Sequence, residues 1–218
     1  MLTIKKLNVS IGKINILRDI SIEVHNRKFI GLIGRNGAGK TTLMKTIIGL
    51  LSHQGGSIYF ENQVLNKTMQ PFLRARLGIG YMPEDRRLIP DLSVEENILI
   101  NAWATQNTRF REKLNYIYNM IPEVQEFSNR KALFLSGGQQ KLVSLARALM
   151  GGSKLLLLDE PFEGVAPALA QRLVELIINL KKTGISVMLS ESDLTHSEKI
   201  LDYIYMIDRG EIIQPKTL

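Results

Sequence analysis

The feature that most constrains this chain of 218 residues is a short apolar run ending in a glycine-rich turn. Phe29-Ile-Gly-Leu-Ile33 leads into Gly34-Arg-Asn-Gly-Ala-Gly39-Lys40-Thr41, which fits the pattern G-x-x-x-x-G-K-[ST]. Such a run reads as a buried strand. Thr41–Leu51, with Leu43, Met44, Ile47 and Ile48 at helical spacing, reads as the helix after it. The strand aims the chain at the carboxyl edge of a sheet, where open α/β folds bind ligands. The glycines let successive backbone N–H groups turn inward around phosphate oxygens, and the helix presents its N-terminus to the same charge. Lys40 then reaches the outer phosphates of a nucleotide, and the Thr41 hydroxyl is placed to ligate Mg²⁺.

Composition narrows the class. Hydrophobic residues make up 44% and charged residues 22%, near globular averages, which excludes a disordered chain. Cysteine is absent, which excludes a disulfide scaffold, cysteine-ligated metal and a thiol nucleophile. The longest aliphatic run, Leu155–Leu158, is far short of the ~20 apolar residues of a membrane helix. The N-terminus lacks an apolar block of signal-peptide length, so a cytosolic protein is expected. The net charge of +7 suits a soluble basic surface or a negatively charged partner. Its Lys and Arg form no basic tail and no run interleaved with aromatics, so no nucleic acid is expected as a partner.

Thr3–Val9 and Asp19–Val24 alternate apolar and polar residues, as half-buried strands do, and Ser57–Phe60 and Ile79–Met82 read as further strands. From Ser93 to Met150 the pattern is helical throughout. Ser93 and Glu96 have capping-box spacing, and helices are expected around Val94–Ala104, Arg109–Met120 and Gly138–Met150. Alternation resumes with strand Lys154–Leu158, helix Ala168–Leu180, strand Ile185–Leu189, helix Thr195–Leu201 and strand Tyr203–Ile207. This implies an α/β core with a mainly parallel sheet, built from residues 1–85 and 152–218, and an all-helical insertion over 86–151.

Lys154-Leu-Leu-Leu-Leu-Asp159-Glu160 ends a buried strand on two carboxylates, which is costly unless a cation or a catalytic task holds them there. Beside a phosphate loop, Asp159 is the natural Mg²⁺ partner and Glu160 the natural base for an attacking water; an acidic turn after a core strand is the alternative. Leu135-Ser136-Gly137-Gly138-Gln139 precedes another helix and reads as a second anion site or as an ordinary N-cap. Two phosphate-facing helix ends in one chain suggest two nucleotides shared between two chains.

These residues carry a family resemblance over essentially the whole chain. Gly34–Thr42 resembles the Walker A loop of ABC-type ATPases, Leu135–Gln139 their LSGGQ signature, and Leu155–Glu160 their Walker B with its catalytic glutamate. The resemblance implies a P-loop NTPase (RecA-like) core with an N-terminal antiparallel β layer and an inserted helical subdomain. It implies a head-to-tail dimer, homo- or heteromeric, that sandwiches two ATP molecules with Mg²⁺. Asn36, Gly37, Ala38, Gly39, Lys40, Thr41 and Thr42 of one chain would hold the phosphates, and Ser136, Gly137, Gly138 and Gln139 of the other would meet them. ATP hydrolysis would drive solute movement by separate membrane permease subunits, with this chain peripheral on the inner face of the cell membrane.

Tyr81–Asn97 and Asp159–Pro167 are similar to the ATPases of branched-chain amino-acid importers, which implies import of such amino acids or a related polar solute. Arg86, Arg87, Leu88, Ile89 and Leu92 are then candidate contacts for the permease's coupling helix, or else pack on their own domain. Four positions depart from the general pattern. Ile11 stands where the adenine-stacking aromatic is expected, Glu84 at the Q-loop glutamine (a third candidate Mg²⁺ ligand), Ala166 at the D-loop aspartate and Ser192 at the switch histidine. His196 is a possible substitute for the last, or a solvated helix residue. Ser192 and Pro83–Arg86 are also similar to the weaker nucleotide-binding half of sugar importers. The expectation is an ATPase that binds ATP well and hydrolyses slowly. The alternatives are a regulatory or partner subunit of a heterodimer, and an ABC ATPase that serves no transporter. No regulatory domain is expected beyond Glu211–Ile213.

Overall fold

The computed structural model describes residues 1–217. Strands β1 (Leu2–Ile11) and β2 (Ile14–Val24) form an antiparallel hairpin, and β3 (Phe29–Ile33) leads to helix α1 (Lys40–Ile47). Then come β4 (Gly55–Phe60), β5 (Gln63–Val64), α2 (Pro71–Arg76) and β6 (Ile79–Met82). Four helices follow: α3 (Val94–Thr105), α4 (Phe110–Met120), α5 (Pro122–Glu126) and α6 (Gly137–Gly151). The chain closes with β7 (Leu155–Asp159), α7 (Pro167–Leu180), β8 (Ser186–Glu191), β9 (Tyr203–Asp208) and β10 (Glu211–Thr217).

Two sheets result. The smaller is antiparallel, in the order β2-β1-β4-β5; the larger runs β10-β9-β3-β8-β7-β6, parallel except for the β9–β10 hairpin at its edge. The larger sheet is covered on both faces, which is why its central strands read as continuous apolar runs. On one face Ile30, Leu32, Leu155 and Leu157 pack with the small sheet and with Leu43, Met44 and Ile47 of α1. On the other, Phe29, Ile33, Leu156 and Leu158 pack with α3 to α7. The stretch between the neighbouring parallel strands β6 and β7 carries α3 to α6 and no strand, only one isolated bridge from Ser93 to Lys131. The Ser93–Glu96 capping box opens α3.

The expectations fail at identifiable places. The helix expected to reach Leu51 stops at Ile47, because Gly49 adopts φ 84°. Gly49 N donates to Thr46 O (3.1 Å) and Leu50 N to Lys45 O (2.8 Å), a Schellman ending. The Arg74 guanidinium donates to the carbonyls of Thr46 and Ile47 at the helix end, both at 2.8 Å. The helix expected over Thr195–Leu201 is a series of turns. The Asp193 carboxylate takes the Thr195 amide at 2.8 Å, and a stretch rich in Asp, Thr and Ser offers its backbone such local alternatives to a helix. Short elements with weak patterns, β5, α2, α5 and β10, were not foreseen.

Candidate functional site

The phosphate loop joins β3 to α1 at the carboxyl edge of the large sheet. Gly34 is packed so closely that a Cβ there would fall 2.1 Å from the Ile207 carbonyl oxygen. Gly39 opens α1 at φ 110°, in the left-handed region, and no side chain caps the helix behind it. The first amides of α1 therefore face a cleft of about 400 Å³ lined by Ile16, Asn36, Gly37, Gly39, Lys40, Thr41, Thr42, Glu84 and Glu160. Ala38 is buried and lines the far side of the loop with Gly34 and Arg35.

Charge is concentrated at the floor. Lys40 Nζ lies 2.8 Å from Glu160 Oε1 and donates to the carbonyls of Gly34 (2.6 Å) and Arg35 (3.2 Å). Both side chains are about 5% exposed, so each stabilises a charge the other would leave uncompensated. Asp159 is fully buried and accepts from Thr41 Oγ1 (3.1 Å), Ser190 Oγ (2.7 Å) and the Tyr81 hydroxyl (3.0 Å). Burial and the Asp159 charge hold the Tyr81 phenol protonated, well above its ordinary range. Partial burial raises the Glu84 carboxyl, and the carboxylates of Glu163, Asp159 and Glu160 add to the rise. The donors are all oxygen, which fits Mg²⁺. Among the described residues no three His, Cys, Asp or Glu side chains cluster closely enough to hold a metal alone. A cation here would draw its remaining ligands from phosphate and water, as Mg²⁺ does.

Glu160 itself stands at φ 47°, uncommon for a residue with a Cβ. Its amide meets the Ser190 carbonyl and hydroxyl, both at 3.2 Å, and its carbonyl accepts from Lys141 Nζ at 2.7 Å. Glu191, buried at the end of β8, accepts the Phe162 amide at 3.3 Å. Burial and the neighbouring Glu160 carboxylate push Glu191 up to about 8. Sequence reasoning missed Ile16, Tyr81, Lys141, Ser190 and Glu191. Three of them, Tyr81, Ser190 and Glu191, sit at or one residue short of the ends of strands β6 and β8, beside the end of β7. That parallel register is the signal that could have found them.

The remaining candidates lie elsewhere. Ile11, the last residue of β1, is half exposed and is not part of the cleft wall, where Ile16 stands instead. Ser192 is exposed just past β8, and among the described residues its side chain makes no hydrogen bond. His196, on a turn rather than a helix, packs its ring 5.5 Å from that of Phe162. Ala166 is the N-cap of α7, without a side-chain cap. Ser136 caps α6 in a reciprocal box: its hydroxyl takes the Gln139 amide (3.2 Å), and Gln139 Oε1 takes the Ser136 amide (3.0 Å). Ser136, Gly137, Gly138 and Gln139 are absent from the wall of the cleft in their own chain.

A second cleft, about 360 Å³, lies between α2, α3 and β6 and is walled by Leu50, Phe72, Ile89, Ile100 and Ala104, with Arg87 and Arg147 among its polar members. Of the five residues expected to face a partner, Arg87 and Ile89 line it. Leu88 packs against the core, and Arg86 turns toward Gln140, 3.4 Å away.

Residues 17–163 match the family of ABC transporters. The chain is 35% identical to the high-affinity branched-chain amino acid transport ATP-binding protein BraG of Pseudomonas aeruginosa, over all of this chain and 93% of that protein. It is 32% identical to the xylose/arabinose import ATP-binding protein XylG of Sulfolobus acidocaldarius, over 98% of this chain and 86% of that one. Among solved structures, the ADP conformation of MJ1267, an ATP-binding cassette of an ABC transporter, superposes with a TM-score of 0.85 at 30% identity, covering all of this chain and 91% of the other.

Proposed function

This chain belongs to the ABC transporter family and is an ATPase coupled to transmembrane transport, and we propose that it serves an importer of branched-chain amino acids or a related polar solute. The observation that carries the mechanism is the convergence of Lys40, Thr41, Asp159 and Glu160 on the floor of one cleft. The likeness to BraG supports the amino-acid substrate, and the likeness to XylG makes a sugar the competing one. Residues 1–85 and 152–218 act as the nucleotide-binding core, and 86–151 as the subdomain facing the permease.

In this reading the phosphates of ATP lie over the uncapped end of α1. Lys40 exchanges the carbonyls of Gly34 and Arg35, and Glu160, for the outer phosphates. Glu160, relieved of its cation, accepts a proton from the water that attacks the γ-phosphorus; the new P–O bond forms as the bond to the β-phosphate oxygen breaks, leaving ADP and phosphate. Mg²⁺ held by Thr41, Asp159 and Glu84 would neutralise phosphate charge. Ser136, Gly137, Gly138 and Gln139 of a second chain complete the site. The apolar second cleft receives the permease on the inner face of the cell membrane.

The first test is purification from detergent-solubilised host membranes with mass spectrometry of what accompanies the chain. A polytopic permease with an amino-acid-binding protein is expected. Recovery with ribosomes, with DNA or with no membrane protein overturns the transporter reading of this subunit. Ser192, exposed and unlinked to the site, favours a second reading in which a second ATPase subunit accompanies this one and hydrolyses faster.

A further inference from the structure

Lys141 is 1% exposed, and among the described residues it forms no salt bridge. Its ammonium points instead at two backbone carbonyls, Glu160 O at 2.7 Å and Glu163 O at 3.5 Å. Burying an ammonium without a carboxylate partner is expensive. Burial lowers the Lys141 pKa and the Arg86 charge lowers it further, while Glu191, Glu163 and Glu84 offset part of this. A neutral apolar side chain at this place on α6 would avoid that cost.

What the ammonium holds is the strained backbone at Glu160, at φ 47°. Three elements fix that residue. Lys40 of α1 pairs with its carboxylate, Ser190 of β8 takes its amide, and Lys141 of α6 donates to its carbonyl. When Lys40 turns to phosphate, the direction of the Glu160 Cα–Cβ bond is set by backbone anchors: its amide on Ser190, and its carbonyl on Lys141 Nζ (2.7 Å) and on the Glu163 amide of its own turn (3.3 Å). One of them belongs to the helix that begins with the signature glycines. The same helix holds the segment after Glu84: Arg147 donates to the carbonyls of Arg86 and Arg87, and the Ser144 hydroxyl to that of Arg86.

We propose that Lys141 is a positioning residue for hydrolysis, aiming Glu160 through its backbone so that the base is correctly placed only while α6 is docked against the core. Docking of the helical segment and readiness for chemistry are thereby one event. The proposal rests on Glu160 being the base, so the experiment measures both residues in the full chain with ATP and Mg²⁺.

Lys141→Met is expected to lower kcat by about 10²-fold, the cost of a misplacement on the order of 1 Å, with KM for ATP within about twofold. The thermal midpoint should stay within about 4 °C. Lys141→Arg, which keeps charged donors, should return kcat to within about tenfold of the unaltered chain. Should Lys141→Met not fold, Lys141→Gln carries the same split between kcat and KM. The proposal is overturned if kcat in the neutral variant stays within about twofold. It is also overturned if kcat, KM and thermal midpoint deteriorate together in both Met and Gln variants. Glu160→Gln, run in parallel, should lose turnover by about 10²-fold or more. Normal turnover in that variant would instead overturn the assignment of the base.

Discussion

The two helices to which the proposed function assigns nucleotide contacts have N-termini built on opposite plans. Helix α1 begins behind Gly39, with a left-handed backbone and no side chain over its amides. Helix α6 begins behind Ser136, whose hydroxyl and the Gln139 amide group satisfy each other's backbone partners. The first end stays unfinished until an anion arrives; the second is complete by itself and has only its two glycine amides to offer. In the proposed mechanism, affinity for nucleotide therefore belongs to α1 within one chain, and α6 serves as the closing surface of a second. Burial repeats the contrast. Lys40 and Glu160 are about 5% exposed, whereas Ser136 is exposed.

The largest break in this comparison is Lys40→Met, expected to cut turnover by about 10³-fold and to abolish binding of a fluorescent ATP analogue. Retained binding would mean that the loop amides suffice. Ser136→Ala comes next: it should cost about 1 kcal/mol in thermal unfolding and weaken ATP-dependent assembly seen by light scattering. Nucleotide binding by the single chain should be unaffected, and a matched loss there would erase the distinction between the two ends.

A third measurement uses pH, because a buried carboxyl, Glu191, stands beside Glu160 in the site that α1 opens onto. Folded Glu191, buried beside the Glu160 carboxylate, keeps its proton to about pH 8, whereas an unfolded carboxylate releases it at about 4.3. The folded state thus binds more protons in that interval, and stability falls as pH rises through it. Denaturant midpoints at pH 6 and pH 9 should fall further for the unaltered chain than for Glu191→Gln. The smallest effect is at α7, whose N-cap is Ala166 ahead of Pro167. Ala166→Ser should raise thermal stability by about 0.5–1 kcal/mol without altering nucleotide binding, which shows what a cap contributes where no phosphate is served.

Much of this was legible from residue order. Phe29–Ile33 and Ile79–Met82 appear as strands with the bounds read from their apolar runs, because a strand buried on both faces leaves a plain signature. The Ser93–Glu96 capping box forms as its three-residue spacing predicts, while Ser136, read as an anion site or an ordinary N-cap, forms a second such box with Gln139. What could not be read is what depends on neighbours distant in the chain. Tyr81 and Ser190 share Asp159 only because β6, β7 and β8 lie in register. Lys141 looks like one more helix lysine until α6 is laid against Glu160. Thr195–Leu201 has helical spacing, but its short polar side chains compete for the backbone. Ile11 is the last residue of β1, while the apolar wall of the cleft is Ile16, five residues on.

The helical stretch departs from β6 and returns at β7, its immediate neighbour in the sheet. It leaves at Met82, the carboxyl end of β6, and re-enters at Leu155, the amino end of β7, so its two attachment points lie three residues apart along the ladder, roughly 10 Å at the rise of a strand. Because both ends are anchored on adjacent, hydrogen-bonded strands, the excursion can lengthen, shorten or change its surface while the strands keep their register, and the entropic cost of extra loop grows only slowly. A chain with this topology can exchange one membrane client for another while its engine stays the same.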